Sequence, residues 1–209
     1  MPDPGALALP ALYALTAALI VAVAITQAGA IPYYVTTYPL ATLIVLGIPL
    51  GAWALGNYPL IVLLHVLGAL LFVGAHGASV YVAFQLPSET DPKKAEALLL
   101  LSATALDWLH ASLAFLIATG VAAGFAGEWW GEPWIWLSLD LLLAVTAYMY
   151  AAASSPAYTV ARHALMDEGG PGWDEATRKL VDRRRALRLM VTGSAALVAI
   201  VALMVLKPG

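Results

Sequence analysis

The chain has no cysteine. That removes disulfides, thiolate metal sites, iron–sulfur clusters and cysteine nucleophiles together. Charge is nearly as scarce: 11% of residues are Asp, Glu, Lys or Arg, against about 25% in a soluble domain. No basic stripe and no aromatic–basic interleaving argues for nucleic acid, and the net charge of -3 points the same way. HExxH, P-loop and GxSxG signatures are absent. GVAAGFAG reads as small-residue helix packing, because no strand precedes it. What remains is apolar: 62% hydrophobic residues over 209 positions and a mean hydropathy of +0.84. This is the composition of an integral membrane protein of one bundle.

A membrane-spanning helix needs roughly 17–25 apolar residues. Six stretches qualify, at about 6–28, 35–56, 59–86, 96–125, 133–161 and 186–206. The expected fold is therefore an all-α, polytopic transmembrane bundle of about six spans. The first stretch ends in QAGA (Gln27 to Ala30), which resembles a cleavage site, but MPDPG ahead of it carries no Lys or Arg for a signal-peptide n-region. It reads as a first transmembrane helix. The second holds Pro39, Pro49 and Gly51, which predicts a kink or a broken start. Only Gly56, Asn57, Tyr58 and Pro59 join it to the third, so the two should form an antiparallel hairpin.

Nine of the ten cations lie in two places: Lys93 and Lys94 in the 87–95 loop, and seven within 162–188. The positive-inside rule puts both on the cytoplasmic side. The 126–132 loop carries Glu128 and Glu132 and no cation, so it should face out. Trp129, Trp130, Trp134 and Trp136 there read as an interfacial aromatic belt. After Gly169-Gly170-Pro171-Gly172, Asp174 looks like an N-cap. From it a single helix to Leu206 is expected, roughly 48 Å long, projecting two to three turns into the cytoplasm as a basic extension. Its arginines form a charged collar suited to anionic lipid or to a partner.

Ionisable groups inside spans are costly and by default mark function. Three of the four histidines and two of the seven aspartates lie there. His65 and His76 sit in NYPLIVLLHVLGALLFVGAHGASVYVAFQL, Asp107 and His110 in LLLLSATALDWLHASLAFLIATG, and Asp140 in PWIWLSLDLLLAV. His65 and His76 share one helix face, roughly 16 Å apart along the axis. Gly68, Ala69, Phe72, Ala75 and Ser79 share their stripe. His76 and Asp107 are equidistant from the midpoint of the 87–95 loop, so they should lie at one depth, with His110 a turn further out on the face of Asp107. His65 and Asp140 define an outer layer. His163, beside Arg162, reads as a solvated boundary residue. The pattern admits haem b with His76 and His110 as an axial pair and His65 as a second ligand site nearer the outside, with Asp107 and Asp140 orienting the imidazoles or relaying protons. It also admits copper or another metal on the same three histidines, a proton path, or polar packing alone. The catalytic residues of any reaction are not legible.

LLHVLGALLFVGAHG resembles the first conserved helix of the copper-resistance D (CopD) superfamily. LIATGVAAGF followed by PWIWLSLDLLL is similar to its next two helices, and VALMVLKPG to its lysine–proline terminus. The likeness covers residues 58–209, a four-helix core, and leaves 1–57 as two additional helices. It lies nearest an uncharacterised bacterial branch beside the HemJ-type protoporphyrinogen oxidases. The resemblance implies a protein of a prokaryotic plasma membrane and a haem ligand at His65. Where those oxidases carry a lysine, this chain has Ser138 and Asp140. The CopD relatives imply copper handling, although Met149, Met166, Met190 and Met204 are dispersed along the chain. The expectation is a haem-b-binding, quinone-linked membrane redox protein. The alternatives are a copper or proton-coupled transporter and a structural or assembly subunit of a larger membrane complex.

Overall fold

A computed structural model describes residues 4–26, 36–153, 160–161, 163–165, 172–181 and 183–208. QAGA, the 169–171 break, the 154–159 end of the fifth stretch, Arg162 and Met166 lie outside the described residues. Seven helices organise the rest: α1 (Pro4–Thr26), α2 (Pro39–Ala54), α3 (Tyr58–Gln85), α4 (Pro92–Ala126), α5 (Pro133–Ala153), α6 (Glu175–Leu180) and α7 (Arg183–Leu206). No strand occurs among the described residues. The protein is an all-α membrane bundle.

Proline marks most of the starts. Pro4, Pro39, Pro92 and Pro133 each open a helix and Pro59 is the second residue of α3, where the missing N–H costs nothing and φ is already helical. Side-chain caps add to this. Asn57 accepts from Leu60 N–H at 3.2 Å, Asp91 from Lys93 N–H at 3.0 Å, and Asp174 from Thr177 N–H at 2.7 Å. The α2–α3 turn closes through Gly56 at φ +64, a left-handed conformation that a Cβ would strain.

Helices α3, α4, α5 and α7 are long and apolar enough to cross a membrane, while α2 and Ala11–Val23 of α1 form shorter apolar helices. At 16 residues, α2 spans about 24 Å, short of a ~30 Å hydrocarbon core. The broken start foreseen for it is present. Tyr38, at φ -127 and ψ 56, is non-helical and only then does the helix begin. Pro49 lies within a helix that runs on to Ala54.

Backbone neighbours run in the order α2, α4, α3, α7, α5, α1. The closest pair is the α3–α4 hairpin. Small residues make it close: a Cβ on Gly68 would meet Phe115 Cδ1 at 3.0 Å and the Leu116 Cα at 3.4 Å. Near the far end of the hairpin Ile61 packs on Ala122, Ala123 and Ala52 of α2. Both sets of contacts are centred on the 87–95 loop, the register expected from sequence. Although α2 is joined to α3 by a tight turn, α4 is its larger backbone partner. Helices α4 and α5, consecutive in the chain, pack on different neighbours and meet through side chains. The result is a four-helix core of α4, α3, α7 and α5, with α2 leaning on α4 and α1 on α5.

The single long terminal helix is not what forms. Helix α6 stops at Leu180, Val181 adopts φ -93 and ψ 85, and α7 starts afresh at Arg183. The physical reason is burial. Val181 is 3% exposed and joins Leu86, Ala95, Leu99, Ala161 and Trp173 in an apolar cluster. A straight helix would carry that side chain away into water. Trp173 donates its indole N–H to Glu89 O at 2.8 Å. Ala161, Leu165, Trp173 and Val181 thus pack over the end of α3 and the start of α4 as a cap.

At this basic end two arginines of α7 find helix C-termini. Arg183 donates to Phe84 O at 3.5 Å and to Ser88 Oγ at 3.2 Å, and Arg185 donates to Ala152 O. Cations there satisfy terminal carbonyls and suit the negative end of each helix dipole.

Candidate functional site

The interior stripe of α3 carries the two histidines expected on it. His65 is wedged against α4, where a Cβ on Gly120 would lie 3.1 Å from its Cε1. Its Nδ1 stands 3.1 Å from Leu116 O and 3.1 Å from Thr119 Oγ1. A carbonyl can only accept, so Nδ1 carries the hydrogen and Nε2 the lone pair. Thr119, fully buried, is held in turn by Phe115 O at 2.8 Å.

Eleven residues on, His76 faces α7 and α5. Phe72, one turn earlier, stacks on it with ring centroids 5.9 Å apart and planes 8° from parallel. A Cβ on Gly193 would lie 3.4 Å from His76 Nε2 and 2.7 Å from Met149 Cε. The imidazole and the terminal methyl of Met149 therefore both approach the bare backbone of α7 at Gly193.

His110 closes the seam between α4 and α5. Its Nδ1 donates to Leu106 O of its own helix at 2.7 Å, and Tyr150 Oη donates to its Nε2. Both ring nitrogens are thus engaged. The α3–α4 register brings His76 and Asp107 to one level, but the His76 ring turns to α7 while the Asp107 side chain is exposed on α4. A bis-imidazole site across His76 and His110 would require Tyr150 to withdraw from Nε2.

Asp140 is 5% exposed and belongs to a different neighbourhood. Thr16 Oγ1 of α1 lies 2.5 Å from its Oδ1 and 2.8 Å from Leu12 O. Its Oδ2 is buried without a hydrogen-bond partner among the described residues. Asp140 thus ties α1 to α5, away from His65, which sits between α3 and α4. No group of three or more His, Asp or Glu able to hold a metal occurs among the described residues. His163 is exposed, as a boundary residue should be.

The tryptophans of the 126–132 region do more than line an interface. Trp134 is 3% exposed. Lys207 Nζ sits 4.4 Å from the Trp129 ring centroid and 5.4 Å from that of Trp134, while Trp136 donates to Trp130 O at 2.8 Å and packs edge-on to Tyr13 at 4.5 Å. This packed aromatic plate joins α1, α5 and the end of α7.

Sequence reasoning missed Tyr150, Thr16 and Gly193, and set Met149 aside as one of four dispersed methionines. Met149 and Tyr150 lie in AVTAYMYAAA, where nothing distinguishes a seam-facing residue from a lipid-facing one. Thr16 is an unexceptional threonine until Asp140 arrives from 124 positions away.

No curated protein and no solved structure matches the chain. The model of DUF2269, described as predicted integral membrane proteins, matches residues 59–208, from the first turn of α3 to the end of α7, and the chain belongs to that family.

Proposed function

We propose that this protein binds haem b and acts as a redox protein of the bilayer, with His65 as the anchoring ligand. The observation that carries the reading is the Nδ1–H of His65 tied to Leu116 O at 3.1 Å. A histidine that ligates a metal typically donates its other ring N–H to a carbonyl or carboxylate, which fixes the tautomer and aims Nε2. The CopD-type resemblance, with its ligand at His65, supports the same residue. His76 is the second candidate, on the same face of α3. His110 is the least available, because Leu106 O and Tyr150 already take its two nitrogens. Bound haem would supply one-electron chemistry. The chain's own part is to hold and orient the imidazole and keep water away. An apolar groove of about 360 Å³ between α3 and α4, lined by Leu70, Leu71, Gly74, Ala75, Leu101 and Trp108 and lying on the flank of α3 turned away from His65 and His76, is the opening offered to a lipid-soluble quinone as electron partner. The setting implied by the resemblance is a prokaryotic plasma membrane.

The test is the optical spectrum of protein expressed with ample haem and purified in mild detergent. A Soret band is expected, lost in His65→Ala and kept in His110→Ala. No band, or a band unchanged in His65→Ala, His76→Ala and His110→Ala alike, ends the haem reading.

A second reading draws on His76 and Met149. Imidazole and thioether suit copper(I), and the two side chains converge at Gly193 although the methionines are scattered in sequence. Copper bound at one equivalent, and lost in both His76→Ala and Met149→Leu, would favour copper handling. If neither haem nor copper binds, proton-coupled transport and a structural or assembly role in a larger membrane complex are the readings left.

A further inference from the structure

We propose that Tyr150 is a redox-active tyrosine whose phenolic proton passes to His110 when its ring loses an electron. The inference stands apart from the haem reading, since it uses neither His65 nor His76.

The geometry assigns each proton. His110 Nδ1 lies 2.7 Å from Leu106 O, and a carbonyl only accepts, so Nδ1 bears hydrogen and Nε2 is the base. Tyr150 Oη is bonded to that Nε2, so the phenol is the donor. The rings are 5.5 Å apart and tilted by 36°, and both residues are partly buried within membrane-spanning helices. In such a medium a phenol that loses an electron and keeps its proton becomes a radical cation, and an isolated charge there is heavily penalised. Transfer to Nε2 moves that charge onto the imidazole, a far stronger base than the phenoxyl oxygen and one whose Nδ1–H is already bonded to Leu106 O. The O–H bond breaks, an N–H bond forms, and a neutral phenoxyl faces an imidazolium. The imidazolium keeps its Nδ1–H bond to Leu106 O and points the new N–H back at the phenoxyl oxygen. Asp107, one turn away on α4, interacts electrostatically with His110 and is placed to attract the new cation. The electron is taken by a one-electron transition-metal oxidant, reduced from M(III) to M(II). Re-reduction returns the proton along the same bond.

Other tyrosines and tryptophans are oxidisable, so the test is comparative. Protein purified in detergent without added haem is flash-oxidised with tris(bipyridine)ruthenium(III) and read by electron paramagnetic resonance. Wild type should give a long-lived tyrosyl signal with the lowered g-value of a hydrogen-bonded phenoxyl. Tyr150→Phe, which keeps the ring packing, should lose that component. His110→Gly should lose it too and recover it when imidazole is added. His110→Gln accepts a hydrogen bond but not a proton, should also lose the signal, and serves if the glycine variant fails to fold. A signal of unchanged shape and yield in Tyr150→Phe, or in both His110 variants, overturns the proposal.

Discussion

At Asp140 the two carboxyl oxygens stand in different situations: Oδ1 meets Thr16 at 2.5 Å, whereas Oδ2 is buried with no partner among the described residues. A buried polar group that loses its partner pays its desolvation, while removing both members can be nearly neutral. Thr16→Val alone should therefore destabilise the fold by about 1–3 kcal/mol. Thr16→Val with Asp140→Leu should cost less than Thr16→Val alone. Reversible unfolding in mixed micelles measures both, and a double variant as unstable as the two losses added together would refute the coupling. The same logic explains why single residues were only half legible. An acid or histidine inside an apolar run announces itself by its cost. Its partner does not: Thr16, Thr119 and Tyr150 are ordinary residues of apolar helices, and only the fold sets them opposite Asp140, His65 and His110.

Elements are decided by small residues and by ends. A Cβ on Gly124 would lie 2.8 Å from the Trp130 ring, and that ring is boxed in by Phe125 at 5.3 Å and Trp136 at 5.4 Å. Gly124→Ala should cost about 1–3 kcal/mol through overpacking. Gly47, inside α2, would place a Cβ with nothing within 4 Å. Gly47→Ala should instead stabilise by about 0.5–1 kcal/mol, because alanine favours a helix over glycine. The two variants, compared by thermal unfolding, must shift in opposite directions. Helix starts were readable because proline and Asx caps act locally. The break between α6 and α7 was not, since a run from Asp174 to Leu206 holds no strong helix breaker. It is produced by Val181 entering a cluster formed by Leu86 and Leu99 from other helices. Val181→Asp should undo the cap, by burying an unpaired charge, and raise the rate of proteolytic cleavage within 160–181. A cleavage rate equal to wild type would show that the cap does not depend on that side chain.

For the whole molecule, the cation distribution predicts which loops share a side of the membrane. Single cysteines at Glu89 and Glu128 should label from opposite sides of the membrane with an impermeant thiol reagent, a clean assay in a chain without native cysteine. Labelling from one side would exclude an odd number of crossings between the 87–95 and 126–132 loops, and with it the transmembrane course of α4. Hydropathy, proline positions and loop charge are local or additive properties. For that reason the amino-acid sequence alone determined the membrane class, most helix starts and the α3–α4 register. Depth follows from rise per residue once a helix is known to cross. Direction around the axis and choice of neighbour do not, because every flank of these helices is apolar and lipid competes equally with protein for it. Only the tertiary structure decided that α2 packs mainly on α4, that His76 looks to Gly193 of α7, and that Tyr150 rather than a second imidazole stands before His110. The His76 choice depends on Gly193, whose missing side chain leaves room for the imidazole and for Met149, a condition that exists only when these helices are together.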